Sequence, residues 1–202
     1  MEINKQNTII FFLLLFTGSL IVRIPSLQES LWFDEAYRTF LMLNSDNISK
    51  VLFHDVHNFL YNGLMYLWIN IFGDSELSIR IPSLLLGYAA TFIFCSWTHR
   101  KFGPSMALGV LIWVLFSPFH IWYSTEAKNN ALVMFFAVSV FVSYANLLEN
   151  GGWKWVLIDT VAGTLGIFSD FLLMLPLISI LVMAVVDLIR NFSKDTLKKI
   201  LI

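Results

Sequence analysis

The sequence predicts an all-α integral membrane protein. The architecture expected is a polytopic bundle of about six transmembrane helices, with an outer-face loop that carries amphipathic juxtamembrane helices. Three observations lead there. Of 202 residues, 57% are hydrophobic and only 13% charged, and Phe alone occurs 19 times. An average soluble domain carries about 25% charged residues, so a water-soluble fold could not cover this apolar surface; the mean hydropathy of +0.73 agrees. The apolar residues also gather in runs separated by short polar breaks, and the acidic residues concentrate in one long polar stretch after the first run. The same arithmetic argues against a disordered chain and a disulfide scaffold. A net charge of −1 offers no basic field for a nucleic acid. The single cysteine, Cys95, has no internal disulfide partner.

The first run, Gln6–Val22, is just long enough to cross a hydrocarbon core. Arg23, Ile24 and Pro25 follow it where a signal peptide would show small residues, so a retained helix is expected. Further runs cover Ile81–Thr98, Phe102–Thr125, Asn129–Leu148, Trp155–Ser169 (interrupted by Asp159) and Phe171–Val186. Asp159 inside a span needs a polar partner or a cavity, or a place near the inner surface by Lys154. Asn58–Gly73 is ambiguous, because its apolar face carries Asn58, Asn62, Gly63 and Asn70. Charge bias resolves it. With a cytoplasmic N-terminus and a non-crossing Asn58–Gly73, eight basic residues lie inside: Lys5, Arg100, Lys101, Lys154, Arg190, Lys194, Lys198 and Lys199. Five lie outside: Arg23, Arg38, Lys50, Arg80 and Lys128. The positive-inside rule favours that arrangement, with Asn58–Gly73 as a helix in the outer interface. The expected organisation is one membrane domain over 1–202, with an extracytoplasmic loop over 26–79.

In this topology Glu29, Asp34, Glu35, Asp46, Asp55, Asp74, Glu76, Glu126 and Asp170 share the outer side. A loop so long is more often functional than spacer. Glu29 or Ser30 is placed to cap a helix starting near Trp32, with Ala36, Phe40 and Leu43 on a face that can rest on the membrane. Taken alone, Asp34 and Glu35 in its first turn would only favour the helix dipole, by about 0.3–1 kcal/mol. His54 and His57 beside Asp55 have spacing compatible with a metal, but a solvated loop explains them as well. Pro118 should break a helix just before Glu126 and Lys128, which by themselves read as an interfacial salt bridge.

Together these elements resemble the membrane-embedded glycosyltransferases of the GT-C class that use lipid-phosphate sugars. The likeness is to the bacterial glycosyltransferase 39-like group, related to protein O-mannosyltransferases and to the aminoarabinose transferase of lipid A. A Trp-x-Asp-Glu-Ala element is matched by Trp32-Phe33-Asp34-Glu35-Ala36. Asp-x-His-Pro-Pro-Leu-Tyr is matched by Asp55-Val56-His57-Asn58-Phe59-Leu60-Tyr61, with both prolines replaced. Phe72-Gly73-Asp74-Ser75-Glu76 and Arg80-Ile81-Pro82-Ser83 follow, then Ser117-Pro118 and Glu126-Ala127-Lys128. Lys128 stands where the family usually has Arg, a point charge in place of a fork. Ser169-Asp170-Phe171 stands where relatives often carry His-Tyr or a Lys pair. Family members are usually longer, so the chain looks like an N-terminal module.

The resemblance implies transfer of a sugar from a polyprenyl-phosphate donor to an acceptor hydroxyl of a glycan, lipid or protein, at the extracytoplasmic face of a cell membrane. It implies catalytic Asp34, Glu35 and Glu126, with Asp34 as general base, a role worth about 10²–10⁴-fold. It implies substrate binding by Arg80, Lys128, His57, Asp55 and Tyr61. The leaving phosphate needs positive charge rather than an acid, from Lys128 or Arg80, less from Arg38. A divalent metal, if used, would fall to Asp34 and Glu126. Direct attack would invert the anomeric carbon. A transporter fragment, which would place charges at the membrane midplane, and a non-catalytic membrane scaffold are the alternatives.

Overall fold

The computed structural model describes residues 5–45 and 47–190. Asp46, Lys194, Lys198 and Lys199 lie outside the described residues, as do the side chains of Lys5 and Arg190. Among the described residues ten α-helices follow in chain order: α1 Lys5–Leu27, α2 Phe33–Leu43, α3 Ile48–His54, α4 Phe59–Phe72, α5 Glu76–Phe102, α6 Pro104–Phe116, α7 Pro118–Thr125, α8 Asn130–Asn150, α9 Trp153–Ile167 and α10 Met174–Arg190. Short 3-10 turns at Val56–Asn58 and Phe171–Leu173 lead into α4 and α10.

Two of these helices, α5 and α8, are long and apolar enough to cross a bilayer. At 27 and 21 residues they extend about 40 and 32 Å. The pair α6–α7 makes a third candidate, bent by 59° at its break. Pro118 opens α7 at a position where its missing N–H costs nothing, so the expected Phe102–Thr125 run is one apolar stretch folded as two helices. Large apolar side chains on the outer faces, Phe92 and Trp113 among them, stay exposed, as lipid-facing positions do.

The helices run between two ends. The C-terminal part of α1 meets the α6–α7 break through Arg23, whose Nη1 donates to Leu115 O at 3.0 Å. The helix α5 starts at that end and runs to the other, where Lys101 pairs with Glu149 near the end of α8. Gly103, at φ 87°, ends α5 in a conformation that only glycine holds cheaply. Pro104 then starts α6 in the return direction. Gly151 and Gly152, also at positive φ, turn α8 into α9. The helix α9 ends back beside the start of α8, where Asn129 Nδ2 donates to Asp170 Oδ2 at 2.7 Å.

The segment α2–α4 stays at the first end. Leu60 N, at the start of α4, donates to Phe168 O at 2.8 Å. Trp68 Nε1, near the end of α4, donates to Ser78 O at 2.9 Å in the first turns of α5. The main buried cluster lies beneath this cover: Met42, Val51, Tyr61 and Met65 pack with Ile79, Leu132 and Phe136. On α2, Ala36, Phe40 and Leu43 form the exposed face and Glu35, Thr39 and Met42 the buried one. The cap of α2 differs from expectation. Trp32 is the N-cap and its N–H donates to Glu35 Oε2 at 3.0 Å. The carbonyls of Glu29 and Ser30 instead accept from Arg80.

Candidate active site

Three separated stretches of chain converge at the first end. The α2 N-terminus brings Asp34 and Glu35, the start of α5 brings Arg80, and the turn after α7 brings Glu126, Ala127 and Lys128. One buried carboxylate ties them. Glu35 is 1% exposed. Its Oε2 takes the Arg80 Nη2 donor at 2.9 Å and its Oε1 accepts from Ala127 N at 2.6 Å. Arg80, equally buried, spends its other terminal donors on backbone. Nη1 donates to the carbonyls of Ser26, Leu27 and Glu29 at 3.1, 3.2 and 2.6 Å, and Nη2 also reaches Ser30 O at 3.3 Å. An arginine so occupied is a clasp on the connection after α1. A pair buried this deeply is expensive to break: stripping one partner typically costs about 3–5 kcal/mol.

Asp34, the neighbour of Glu35, points the other way because successive helix residues face about 100° apart. Its side chain is 64% exposed, and Lys128 Nζ lies 3.5 Å from Oδ2. The same ammonium lies 3.6 Å from Glu126 Oε1. Glu126 is buried, and its Oε2 accepts from Asn130 Nδ2 at 3.4 Å. The two carboxylates expected to act together therefore share one cation. That position is taken by an ammonium, and no three His, Cys, Asp or Glu side chains come together among the described residues.

Two hollows flank this bridge. The first, about 420 Å³, is lined by Asp34, Tyr37, Arg38, His54, Asp55 and Asn62. Arg38 is the underused cation here. Its Nη2 stands 3.7 Å from Asp55 Oδ2, its buried Nη1 has no hydrogen-bond partner, and the guanidinium sits 5.9 Å from the Tyr61 ring centroid. Burial holds the Tyr61 hydroxyl well above the usual phenol range, partly opposed by Arg38, so it stays neutral. Asp55 is engaged locally, accepting from His57 N at 3.2 Å and Asn58 Nδ2 at 2.5 Å. His54 Nε2 is 3.3 Å from the Tyr37 hydroxyl. His57 stands apart, exposed and edge-on to Phe171 at 4.6 Å. The second hollow, about 320 Å³, lies toward α1 and α7 and includes Trp32, Trp122 and Glu126.

Behind the site lies a buried network that sequence reasoning left out. Arg23 Nε donates to Ser124 Oγ at 3.0 Å, Nη1 to Ser19 O at 2.8 Å, and Nη2 to His120 Nδ1 at 2.6 Å. His120 Nδ1 must accept from the guanidinium, so its Nε2 carries the proton and can donate to Thr91 Oγ1, 2.9 Å away. This joint clamps α1, α5 and α7 immediately before Glu126. The signal was present as an arginine ending the first apolar run and a histidine inside another, but nothing in the spacing paired them. Asp159 has its expected partner: Ser143 Oγ donates to Oδ1 at 3.0 Å, while Lys154 lies over the Trp155 ring.

A family model described as dolichyl-phosphate-mannose-protein mannosyltransferase matches residues 56–202. No curated protein and no solved structure matches the chain. The matched stretch holds Arg80, Glu126 and Lys128, while Asp34 and Glu35 precede it.

Proposed function

Because the chain belongs to the dolichyl-phosphate-mannose-protein mannosyltransferase family, we propose that it moves a sugar from a polyprenyl-phosphate donor to an acceptor hydroxyl at the extracytoplasmic face of a cell membrane. The observation that carries this reading is the shared Lys128 ammonium, 3.5 Å from Asp34 and 3.6 Å from Glu126. It sets the candidate base, a second carboxylate and a shared cation together between two hollows.

In this reading Asp34 takes the proton of the acceptor hydroxyl while that oxygen bonds to the anomeric carbon. The bond from that carbon to the phosphate oxygen breaks on the opposite face, so the configuration inverts and polyprenyl phosphate leaves as an anion. Positive charge must meet that anion. Arg80 is committed to Glu35 and four carbonyls, whereas Arg38 has donors to spare and lines the hollow beside Asp34. Arg38 and Lys128 are therefore assigned to the phosphate. Movement of the Lys128 ammonium toward the donor would free the Asp34 carboxylate, coupling donor arrival to base activation. Glu126 holds Lys128 in reserve and faces the acceptor. Glu35 organises the site by joining its three stretches, Asp55 and Tyr61 position Arg38, and His57 contributes at the rim near Phe171.

The reading takes α1, α5, the α6–α7 pair, α8, α9 and α10 as crossings of alternating direction, of which α5 and α8, with the bent α6–α7 pair as a third candidate, are long and apolar enough to span. Both ends of α4 are tied to the first end, which supports α2–α4 as an extracytoplasmic cover. Membrane vesicles given dolichyl-phosphate mannose and mixed acceptors test the reading through release of dolichyl phosphate. Asp34→Asn should abolish release with insertion unchanged, and unaltered release in that variant removes Asp34 from the mechanism. Arg38→Gln should raise the donor KM about tenfold, the loss of one charge-assisted hydrogen bond.

A further inference from the structure

The second hollow differs in chemistry from the first. Around its roughly 320 Å³ stand Glu29, Trp32, Arg80, Trp122, Thr125 and Glu126. Arg80 is the only cation among them, and both its terminal nitrogens are spent on Glu35 and backbone carbonyls. Its Nε has no hydrogen-bond partner but is fully buried. The lining thus offers acceptor oxygens and no free guanidinium: Glu29 and Glu126 bring carboxylates, Glu126 with the Lys128 ammonium 3.6 Å from its Oε1. A donor's phosphate belongs on the Arg38 side, and this side suits hydroxyl or ammonium groups.

The mouth carries a second feature. Trp32 and Trp122 stack with ring centroids 6.4 Å apart and planes 25° from parallel. Both stay about half exposed, 52% and 54%. A gap of that width is too narrow for another ring to enter, so a ligand must lie across the outer indole faces. The negative face of an indole attracts the polarised C–H groups of a sugar ring and any nearby cation. Flat aromatic surface beside a carboxylate is a combination that can hold a polyhydroxylated ring in orientation. Single exposed tryptophans anchor proteins at headgroup depth, but that role needs neither a stacked pair nor a buried glutamate beside it.

We propose that this hollow is a saccharide subsite for a neutral or amino sugar, which lies across the Trp32–Trp122 pair with a hydroxyl or ammonium held by Glu126. Calling that sugar the acceptor rests on the transferase reading, whereas the binding does not. The test uses the full chain in lipid nanodiscs and saturation-transfer NMR. The probes are methyl α-mannopyranoside, the methyl glycoside of glucosamine, and glucose 6-phosphate. The two glycosides should receive transfer, strongest at the C–H groups of one ring face, and the phosphate ester should bind at least tenfold more weakly. Trp122→Ala should remove the glycoside signal, and Trp122→Phe should retain part of it. Glycoside binding unchanged in both Trp32→Ala and Trp122→Ala marks the pair as a membrane anchor and overturns the subsite. So does equal or tighter binding of glucose 6-phosphate. A protein that binds the glycosides yet never releases dolichyl phosphate retires the transferase reading alone.

Discussion

Glu35 and Asp34 are adjacent carboxylates with opposite environments, and the difference decides what each can do. Glu35 has both oxygens occupied by Arg80, Trp32 N–H and Ala127 N–H, so it holds geometry. Asp34 is exposed and meets only the Lys128 ammonium among the described residues, so it is free to exchange partners. Glu35→Ala should lower stability by about 3–5 kcal/mol by leaving Arg80 buried without its counter-ion. The double variant Glu35→Met with Arg80→Met should recover part of that loss in thermal unfolding. Lys128→Met should cut transfer at least tenfold, since Asp34 and Glu126 would then face each other without a cation. Lys128→Arg, which keeps the positive charge, should stay active. A Lys128→Met protein as active as the parent would show that the shared ammonium is incidental.

At the scale of helices, the contact of α5 with α7 sets where the Glu126 turn falls. Gly87 allows it, because a Cβ there would stand 2.7 Å from Ser124 Cβ. Ser124 is itself held by Arg23 Nε. Gly87→Ala should push α7 off α5 and cost about 1–3 kcal/mol by overpacking, with transfer falling further than stability alone explains. Gly109→Ala is the control: nothing lies within 4 Å of its Cβ, and alanine should help the exposed α6 by up to about 1 kcal/mol. Both effects can be read from melting temperatures in one detergent. Helix boundaries were legible here mostly where backbone chemistry is local. Pro118 breaks the helix as expected and Gly151–Gly152 turns the chain just past the expected Asn129–Leu148 run, whereas Gly103 and Pro104, which end α5 and start α6, fell inside the expected Phe102–Thr125 run. The α2 cap was not legible, because Glu35 reaches back to Trp32 while Arg80, far along the chain, claims the carbonyls of Glu29 and Ser30.

For the whole molecule, the sidedness expected from the charge distribution is a proposal that labelling tests. Asn44 and Asp74 flank the α3–α4 region at the first end, and Lys101 lies at the other. In a chain with Cys95→Ser, Asn44→Cys and Asp74→Cys should label from outside the cell, and Lys101→Cys only from inside. Asn44→Cys and Asp74→Cys labelling from opposite sides would make α4 a crossing helix and displace the proposed site.

Composition and periodicity were enough to determine an all-helical, membrane-capable chain, because apolar runs and polar breaks are properties of neighbouring residues. The ordered motifs were enough to name the family and to single out Asp34, Glu126 and Lys128. Only the tertiary structure decided which charges are buried in fixed pairs and which stay exposed. A buried guanidinium becomes a clasp or a ligand according to the acceptors that surround it. Those around Arg80 and Arg23 come from segments far apart in the chain, and helix packing alone brings them together.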